Sequence, residues 1–395
     1  KLFSRINFFR EILNMNTPID LDYAATTPVH PSVIACMQKI QKDSYFNPAS
    51  NHIAGCISSV WIKKAEEKLL KMLGANQGKL IWTSGATESN NLAILGVAKQ
   101  RSYRGKHLIT MRTEHKAVVD VFRFLEKQGF EVTWLKPESN GKLLHEKLKE
   151  AIRPDTQLVS IMHINNEIGA VQDIEEIGFL CRERNIAFHV DGAQAAGKIP
   201  VDLSTLNIDL YSISGHKFYG PKGIGALYVA DDVLMEPIMY GGNQQSKIRP
   251  GTLPVDLIAG LGEAAFISHS QIEEDLKHLI VLRQQLINGL QEVDGLYING
   301  PTKDGYPGIL NVGVSDVNGE SLLYLLEPLC VATGSACNSQ SQEPSYVLKS
   351  IGRSDFEAQS SIRFSFGRFT CPDDIDKAVS IYCKAVKKLR SFSPG

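Results

Sequence analysis

Two side chains suited to cofactor chemistry come directly after short apolar segments of the chain. Asp191 ends one such segment, and Lys217 follows another within the motif SGHKFYGPKG. A lysine amine that is withdrawn from water has a lowered pKa and can form a Schiff base with a carbonyl compound. Other interpretations stay open, because Asp191 could cap a helix and Lys217 could be an exposed loop residue, as we expect for Lys222.

The segment TSGATESN at residues 83–90 follows another apolar run and opens a helical pattern. Backbone N–H groups at a helix N-terminus attract anions, so Ala86 and Thr87 could belong to a phosphate site. The alternative is an ordinary N-cap by Ser84 or Thr87, with Glu88 in the first turn. The segment lacks the GxGxxG pattern of dinucleotide-binding folds and the GK[ST] ending of a P-loop, which disfavours nucleotide cofactors.

These three sites together match one cofactor. A phosphate cradle, a carboxylate for a pyridinium nitrogen and an amine for an aldehyde are the groups that pyridoxal 5′-phosphate requires. The combination is more specific than any of its parts, so the sequence predicts that this cofactor binds.

A possible nucleophile, Cys337, lies in the polar segment GSACNSQSQEP. We expect this segment to be mobile, so that the thiol of Cys337 can change position. A cysteine is more often a small buried hydrophobe, and we prefer that interpretation for Cys36, Cys181, Cys330 and Cys383. A free thiol is only slightly ionised at neutral pH, so a base such as His115, or proton shuttling by the substrate, should activate Cys337.

Seven short apolar segments alternate with longer helical patterns and would position these residues. The segments begin near residues 79, 107, 130, 156, 186, 210 and 224. Continuous apolar runs are typical of strands covered on both faces, so we predict an α/β fold with a mostly parallel, seven-stranded sheet and helices on each side. Ligands bind beyond the carboxyl ends of the strands in such sheets.

The pattern changes after the Gly/Pro-rich residues 240–254. It continues as a long helix at about 262–292, shorter strands around 308–314 and 361–366, and a closing helix from Asp373. We therefore predict a large cofactor-binding domain at residues 25–254 and a smaller α+β domain at residues 255–395, with residues 1–24 packed against the smaller one.

The composition argues against several classes of protein. The 395 residues include 42 Lys+Arg and 43 Asp+Glu, so a net charge of −1 predicts neither nucleic-acid nor membrane binding. Seven cysteines, never in a CxxC spacing, argue against a disulfide framework and a zinc or other metal site. We expect a reducing compartment, the cytoplasm or the mitochondrial matrix of a eukaryote. Arg5 and Arg10 in the first fourteen residues could belong to a transit peptide or to an ordinary N-terminal helix.

The chain resembles the cysteine desulfurases of the iron-sulfur-cluster assembly type, which are class V aminotransferases and fold type I pyridoxal phosphate enzymes. The resemblance runs from Leu21 to about Pro394 through the motifs LDYAATTP, TSGATESNNLAI, TEHKAV, NNEIG, HVDGAQ, SGHKFYGPKG, RPGT, GSAC, EPSYVL and SSIRFSFGRFT. It implies a fold type I architecture, L-cysteine as the substrate, a homodimer, and a protein that accepts sulfur.

The resemblance also implies roles for the residues around the cofactor ring. Lys217 would form the Schiff base, and Asp191 would keep the pyridine nitrogen protonated. Gln194 would hydrogen-bond the phenolate oxygen, and His115 would stack on the ring and move protons. Considered by itself, His115 is typical of a surface loop.

Further roles follow for the phosphate and the substrate. The phosphate would be bound by Ala86, Thr87, Ser214 and His216, and by Thr252 across a dimer interface. Asn166, which also borders the cofactor, and Arg363 would bind the substrate carboxylate. Without the resemblance, Arg363 would be interpreted as a surface charge.

The reaction implied by the resemblance converts L-cysteine to L-alanine and leaves a persulfide on Cys337. The persulfide sulfur would pass to an acceptor of iron-sulfur-cluster assembly or thiolation. The alternatives are another fold type I enzyme, such as an aminotransferase or a selenocysteine lyase, and an inactive assembly partner. Transamination needs no thiol, and an inactive partner would be expected to lack Lys217, Asp191 or Cys337.

The sequence departs from the family pattern at a few positions. Gly192 replaces the alanine usual after the cofactor aspartate, a change that we expect to be tolerated. Asn243 and Gln245 stand where the family has a glycine and a glutamate. The chain ends at Gly395, whereas relatives continue with a tail that helps to dock the scaffold protein, so we expect weak scaffold binding or a different sulfur acceptor.

Overall fold

The computed structural model describes residues 18–333 and 343–392 of the chain. The predictions made for Cys337, for residues 1–14 and for the C-terminal residues 393–395 lie outside the described residues.

Strands and helices alternate through the described residues. The strands are β1 (Ile19–Asp20), β2 (Lys79–Thr83), β3 (His107–Met111), β4 (Glu131–Leu135), β5 (Thr156–Met162), β6 (Ala187–Asp191), β7 (Leu210–Ser214), β8 (Gly225–Val229), β9 (Leu296–Asn299), β10 (Ile309–Val314), β11 (Leu329–Cys330), β12 (Ala332–Thr333) and β13 (Ser361–Ser365). The α-helices are α1 (Pro31–Asp43), α2 (Ile53–Met72), α3 (Ala86–Gln100), α4 (Lys116–Lys127), α5 (His145–Ala151), α6 (Ile174–Glu183), α7 (Val255–Leu290), α8 (Gly319–Leu325), α9 (Tyr346–Ser350), α10 (Asp355–Gln359) and α11 (Pro372–Phe392). No helix in the described ranges has both the length and the apolar character needed to cross a membrane.

The large sheet has seven strands in the order β2-β8-β7-β6-β5-β3-β4. Only β8 runs antiparallel to its neighbours. Helices α3 and α4 pack on one face, and α2, α6 and the first half of α7 pack on the other. The sequence-based prediction of a mostly parallel seven-stranded sheet is confirmed, with strand ends within about two residues of the apolar runs.

A second, antiparallel sheet has the order β12-β13-β10-β9. The strand β1 pairs in parallel with β11 beside it, and Leu21 and Ala24 belong to the same apolar core as this sheet. The second half of α7 and the helix α11 cover the sheet. The chain preceding the large sheet therefore contacts the smaller one.

The helix α7 begins at Val255, whereas the sequence predicted a start near residue 262. Gly260 and Gly262 made the first turns look unlike a helix, because glycine weakens a helical pattern. In the structure a Cβ atom at Gly260 would lie 2.7 Å from Met37, and one at Gly262 would lie 2.5 Å from Ala65. The two glycines thus let α7 approach α1 and α2 closely.

Candidate active site

The carboxyl ends of β5, β6 and β7 open into a cavity of about 550 Å³. Its wall includes Met162, Asp191 and Ser214, the last residues of these three strands. This is the edge at which a doubly wound sheet binds its ligands. The cavity therefore lies where the sequence predicted it.

Lys217 enters this cavity from a single 3₁₀ turn, Gly215–Lys217, that follows β7. Its Nζ atom donates hydrogen bonds to the carbonyl oxygens of Ala24 and Ala25, each at 2.8 Å. Lys222 is exposed at the edge of the same cavity. Of the two lysines, Lys217 is the one held toward the interior.

Asp191 ends β6 and is 4 % exposed. Its Oδ1 accepts a hydrogen bond from the backbone N–H of Ala193 at 3.0 Å, and its Oδ2 accepts one from Asn90 Nδ2 at 2.8 Å. Residues 193–198 form turns and no helix. The alternative in which Asp191 caps a helix is therefore wrong.

Gln194 occupies the next position along the cavity wall. Its Nε2 donates to the carbonyl oxygen of Ala24 at 2.8 Å, and its Oε1 accepts from Lys198 Nζ at 2.6 Å. Burial lowers the pKa of Lys198 well below its usual value, and the charges of Lys217 and Arg363 add to this effect. Sequence reasoning missed Lys198; its i+4 spacing from Gln194 was the one available signal.

The N-terminus of α3 faces the cavity without a side-chain cap. Its N-cap residue is Gly85, whose φ of 152° favours glycine. Ser84 donates its backbone N–H to the Glu88 carboxylate at 2.7 Å, and Arg249 Nε donates to the same carboxylate at 2.7 Å. The alternative N-cap by Ser84 or Thr87 is therefore wrong, and the end of the helix remains available to an anion.

Two side chains from the Lys217 segment flank this helix end. Ser214 and His216 line the cavity together with Ala86 and Thr87. Burial, with the charge of Lys217 as the next cause, lowers the pKa of His216 to about 4. His216 is therefore a neutral hydrogen-bonding group at neutral pH, and its Nδ1 lies 3.2 Å from the hydroxyl of Thr26.

His115 lies in the cavity wall as the N-cap of α4. Its Nδ1 accepts a hydrogen bond from the backbone N–H of Ala117 at 3.1 Å. Burial lowers the pKa of His115, although the Asp191 carboxylate acts in the opposite direction. A neutral ring with Nδ1 as an acceptor carries its proton on Nε2, so this arrangement favours proton donation by His115.

Arg363 sits in the middle of β13 and is 5 % exposed, which excludes a surface charge. Its two terminal nitrogens donate to the carbonyl oxygen of Asn166 at 2.9 Å and to Asp22 Oδ1 at 2.6 Å. Arg363, Asn166 and Asp22 all line the cavity. Sequence reasoning did not identify Asp22, because its partner is more than 300 residues away.

Both ends of the segment that carries Cys337 lie beside these residues. The strand β12 ends at Thr333, and its Ala332 is the register partner of Arg363. On the other side, Ser345 donates a hydrogen bond of 2.6 Å to the carboxylate of Glu167, the neighbour of Asn166. The chain therefore leaves and re-enters the described region next to the cavity.

Thr252 is the predicted site residue that the structure does not bring into the cavity. It is exposed and lines a separate groove of about 320 Å³ with Tyr45, Phe46 and Pro48. Within one chain, the predicted phosphate contact of Thr252 is absent from the cavity lining.

The residues present fit pyridoxal 5′-phosphate. The uncapped end of α3 suits the phosphate, Asp191 suits the pyridine nitrogen, and the amine of Lys217 suits the aldehyde. A Cβ atom at Gly85 would project toward the Ser214 hydroxyl, 3.6 Å away, so glycine keeps this side of the cradle open.

The fold and the site define a pyridoxal phosphate enzyme of fold type I. The chain belongs to the aminotransferase class-V family, whose model matches residues 19–378.

Individual relatives are also similar over nearly the whole chain. The chain is 50% identical to a cysteine desulfurase IscS of Serratia proteamaculans, over 96% of this chain and 95% of the relative. It is 51% identical to a cysteine desulfurase IscS of Vibrio vulnificus over the same shares. A solved NifS-like protein superimposes with a TM-score of 0.88 at 33% identity, covering 95% of this chain and 100% of the other. A structure of SspA in complex with cysteine superimposes with a TM-score of 0.80 at 39% identity, covering 90% of this chain and 100% of the other.

Proposed function

We propose that the protein is a pyridoxal 5′-phosphate-dependent cysteine desulfurase. The reaction takes sulfur from L-cysteine, releases L-alanine and leaves a persulfide on Cys337. The observation that carries this proposal is one cavity that gathers Lys217, Arg363 and the pair Asp191 and Gln194 from three separate segments. The similarity to curated cysteine desulfurases over nearly the whole chain supports it.

Different residues of the cavity would act on the cofactor and on the substrate. When bound, pyridoxal phosphate supplies an electron sink for the charge that develops at the α-carbon of the substrate. The Asp191 carboxylate supports this role because its negative charge favours a protonated pyridine nitrogen. The amine of Lys217 would hold or move a proton at the α-carbon, and His115 would donate one from Nε2.

Arg363 would bind the carboxylate of L-cysteine. Its guanidinium is buried and already oriented by Asp22 and by the backbone of Asn166. A preoriented guanidinium loses little freedom when it binds a carboxylate, and charge-assisted hydrogen bonds are among the strong ones. Each terminal nitrogen of Arg363 makes one of these hydrogen bonds and carries a second N–H that could donate to the substrate.

The thiol of Cys337 would then attack the substrate sulfur. Its sulfur forms the new S–S bond, the bond between the β-carbon and sulfur of L-cysteine breaks, and the product carbon skeleton becomes L-alanine after protonation. An acceptor protein of iron-sulfur-cluster assembly or thiolation would take the outer sulfur. The ends of this segment at Thr333 and Ser345, both close to cavity residues, support this assignment.

We also propose that the enzyme is a homodimer in which the partner subunit's Thr252 completes the phosphate site. Thr252 lies outside the cavity of its own chain, in a groove that it shares with the exposed Tyr45.

The odd number and the scattered positions of the cysteines support a location in the cytoplasm, or in the mitochondrial matrix if the source is a eukaryote.

The Cys337→Ala variant tests the thiol assignment. The protein is loaded with cofactor, mixed with L-cysteine without reductant, and analysed by mass spectrometry of the peptide containing residue 337. We expect the wild type to gain one sulfur atom on this peptide, and the variant to bind L-cysteine but gain none. Alanine production by Cys337→Ala at the wild-type rate would instead favour a lyase that uses no enzyme thiol.

A further inference from the structure

We infer that Asn90 is a positioning residue that holds the Asp191 carboxylate in the orientation required by the pyridine nitrogen of the cofactor. The inference rests on the proposed function, since it assigns a task to Asp191 in the same cavity. Asn90 itself does not line the cavity and acts through Asp191.

The hydrogen bonds to Asp191 come from two different parts of the chain. Asn90, in the second turn of α3, donates to Oδ2 at 2.8 Å, and the N–H of Ala193 donates to Oδ1 at 3.0 Å. With one donor on each oxygen, the plane of the carboxylate is fixed. The contact to Ala193 is local and follows from the turn after β6, whereas the contact from Asn90 requires α3 to pack over the end of the strand.

The other half of the Asn90 amide points to a functional reason for this residue. Asn90 is fully buried, and its Oδ1 has no hydrogen-bond partner among the described residues. An unpaired buried carbonyl oxygen is unfavourable for folding. The Oδ1 atom of Asn90 therefore does not explain why an amide stands at this position. The amide is explained by what its Nδ2 does for Asp191.

A neighbouring buried acid strengthens this interpretation. Glu114 is fully buried, and burial raises its pKa well above the usual value, with the Met162 N–H hydrogen bond opposing and the charge of Asp191 adding to the effect. Glu114 receives one hydrogen-bond donor, the N–H of Met162, whereas Asp191 receives two. The donors of this region are therefore concentrated on the Asp191 carboxylate.

The test compares Asn90→Leu with Asn91→Leu. Asn91 lies on the same helix, but its amide donates to the backbone carbonyl of Thr87 and not to Asp191. The readouts are the affinity of the apo-protein for pyridoxal phosphate, the pH titration of the bound cofactor's absorption spectrum, and the urea midpoint of the apo-protein.

We expect Asn90→Leu to weaken cofactor affinity by about 10- to 100-fold, the range for a lost hydrogen bond to a charged group. Its absorption titration should shift relative to wild type. Its urea midpoint should fall, because Oδ2 of the buried Asp191 loses its donor. Asn91→Leu should leave cofactor affinity and the titration unchanged. The shift of the titration separates positioning from a purely structural role, which would lower stability and leave the titration of the bound cofactor unchanged.

Two results would overturn the inference while leaving the proposed function standing. One is an Asn90→Leu variant whose cofactor affinity and absorption titration equal those of wild type. The other is an Asn91→Leu variant that loses as much cofactor affinity as Asn90→Leu. If Asn90→Leu does not fold, Asn90→Ala takes its place, and wild-type affinity in that folded variant refutes the assignment. A wild-type protein that fails to bind pyridoxal phosphate would refute the proposed function itself.

Discussion

Lys198 is a half-buried, desolvated amine that influences the cavity. Its amine contacts Gln194 Oε1 at 2.6 Å and lies 5.7 Å from the centre of the Tyr306 ring. The contact fixes the amide of Gln194 so that its NH₂ group points toward Ala24. Lys198 thus combines an unfavourable, desolvated charge with a role in orienting a residue of the site.

The replacement Lys198→Met preserves much of the side-chain length and removes the charge. The folded protein disfavours the charged form of Lys198. The unfolded chain therefore binds more protons than the folded protein at pH values between the lowered pKa of Lys198 and 10.5. Wild-type stability therefore rises with pH across that interval. We expect the variant to be more stable than wild type at about pH 7, with an advantage that shrinks toward about pH 10.

Urea denaturation at several pH values measures this difference, and the exposed Lys222→Met is the matched control. A constant stability difference between Lys198→Met and wild type at all pH values would contradict the assignment of a disfavoured charge at Lys198.

At the scale of elements, the turn after β6 depends on a glycine because β7 carries a large ring beside it. A Cβ atom at Gly192 would lie 2.0 Å from Cε1 of Tyr211, a fully buried residue whose hydroxyl lies 3.1 Å from His163 Nδ1. The family alanine expected at position 192 would not fit here without movement of Tyr211. Gly192 and Tyr211 are therefore coupled.

The variant Gly192→Ala tests this coupling. We expect it to lower the free energy of unfolding by about 1–3 kcal/mol, the usual range for overpacking a buried site. In the double variant Gly192→Ala/Tyr211→Leu, the loss should be smaller than the sum of the two single losses by at least about 0.5 kcal/mol. Additive losses in urea denaturation would show that the methyl group is accommodated in another way.

The elements of the large sheet could be predicted from sequence because their information is local. Each apolar run is long enough to specify a strand, and polar residues such as Asp191 and Lys217 directly follow strand ends. Asn90 and Lys198 could not be assigned in the same way. The importance of Asn90 depends on the packing of α3 over β6, which joins residues 101 positions apart.

At the scale of the whole molecule, the two sheets meet around Glu167. Its carboxylate accepts a hydrogen bond from Ser345, and its carbonyl oxygen accepts one from Asn311 of β10. Burial raises the pKa of Glu167 to about 7, although Ser345 and Arg363 oppose this shift. The junction between the sheets therefore contains a carboxyl group that loses its proton near neutral pH.

The variant Glu167→Gln tests the effect of this group on stability. The folded wild type binds more protons than the unfolded chain between about pH 4.5 and 7, so wild-type stability falls as pH rises through this range, by up to about 1.4 kcal/mol per pH unit. Glutamine cannot ionise and should remove this loss. We expect the free energy of unfolding of the variant, measured by urea denaturation, to increase relative to that of wild type between about pH 5 and 8. A difference between the two proteins that does not change with pH would contradict the assignment.

The proposed division into domains at residues 254–255 also concerns the whole molecule. Ile258 and Leu261 of α7 belong to the core of the large sheet, whereas Leu282 and Leu286 belong to that of the smaller sheet. The two cores thus divide within the helix. Sequence patterns placed the boundary at the start of this helix, because the sheet that each of its turns contacts is set by tertiary packing and cannot be read from the sequence.

The most direct test of the central claim is the formation of alanine from L-cysteine by the purified, cofactor-loaded protein. Alanine and sulfide are quantified together in the presence of a thiol reductant, and Lys217→Ala is assayed in parallel. We predict equal amounts of alanine and sulfide over many turnovers by the wild type and neither product from the variant. No alanine from the loaded wild type, or equal production by Lys217→Ala, would contradict it.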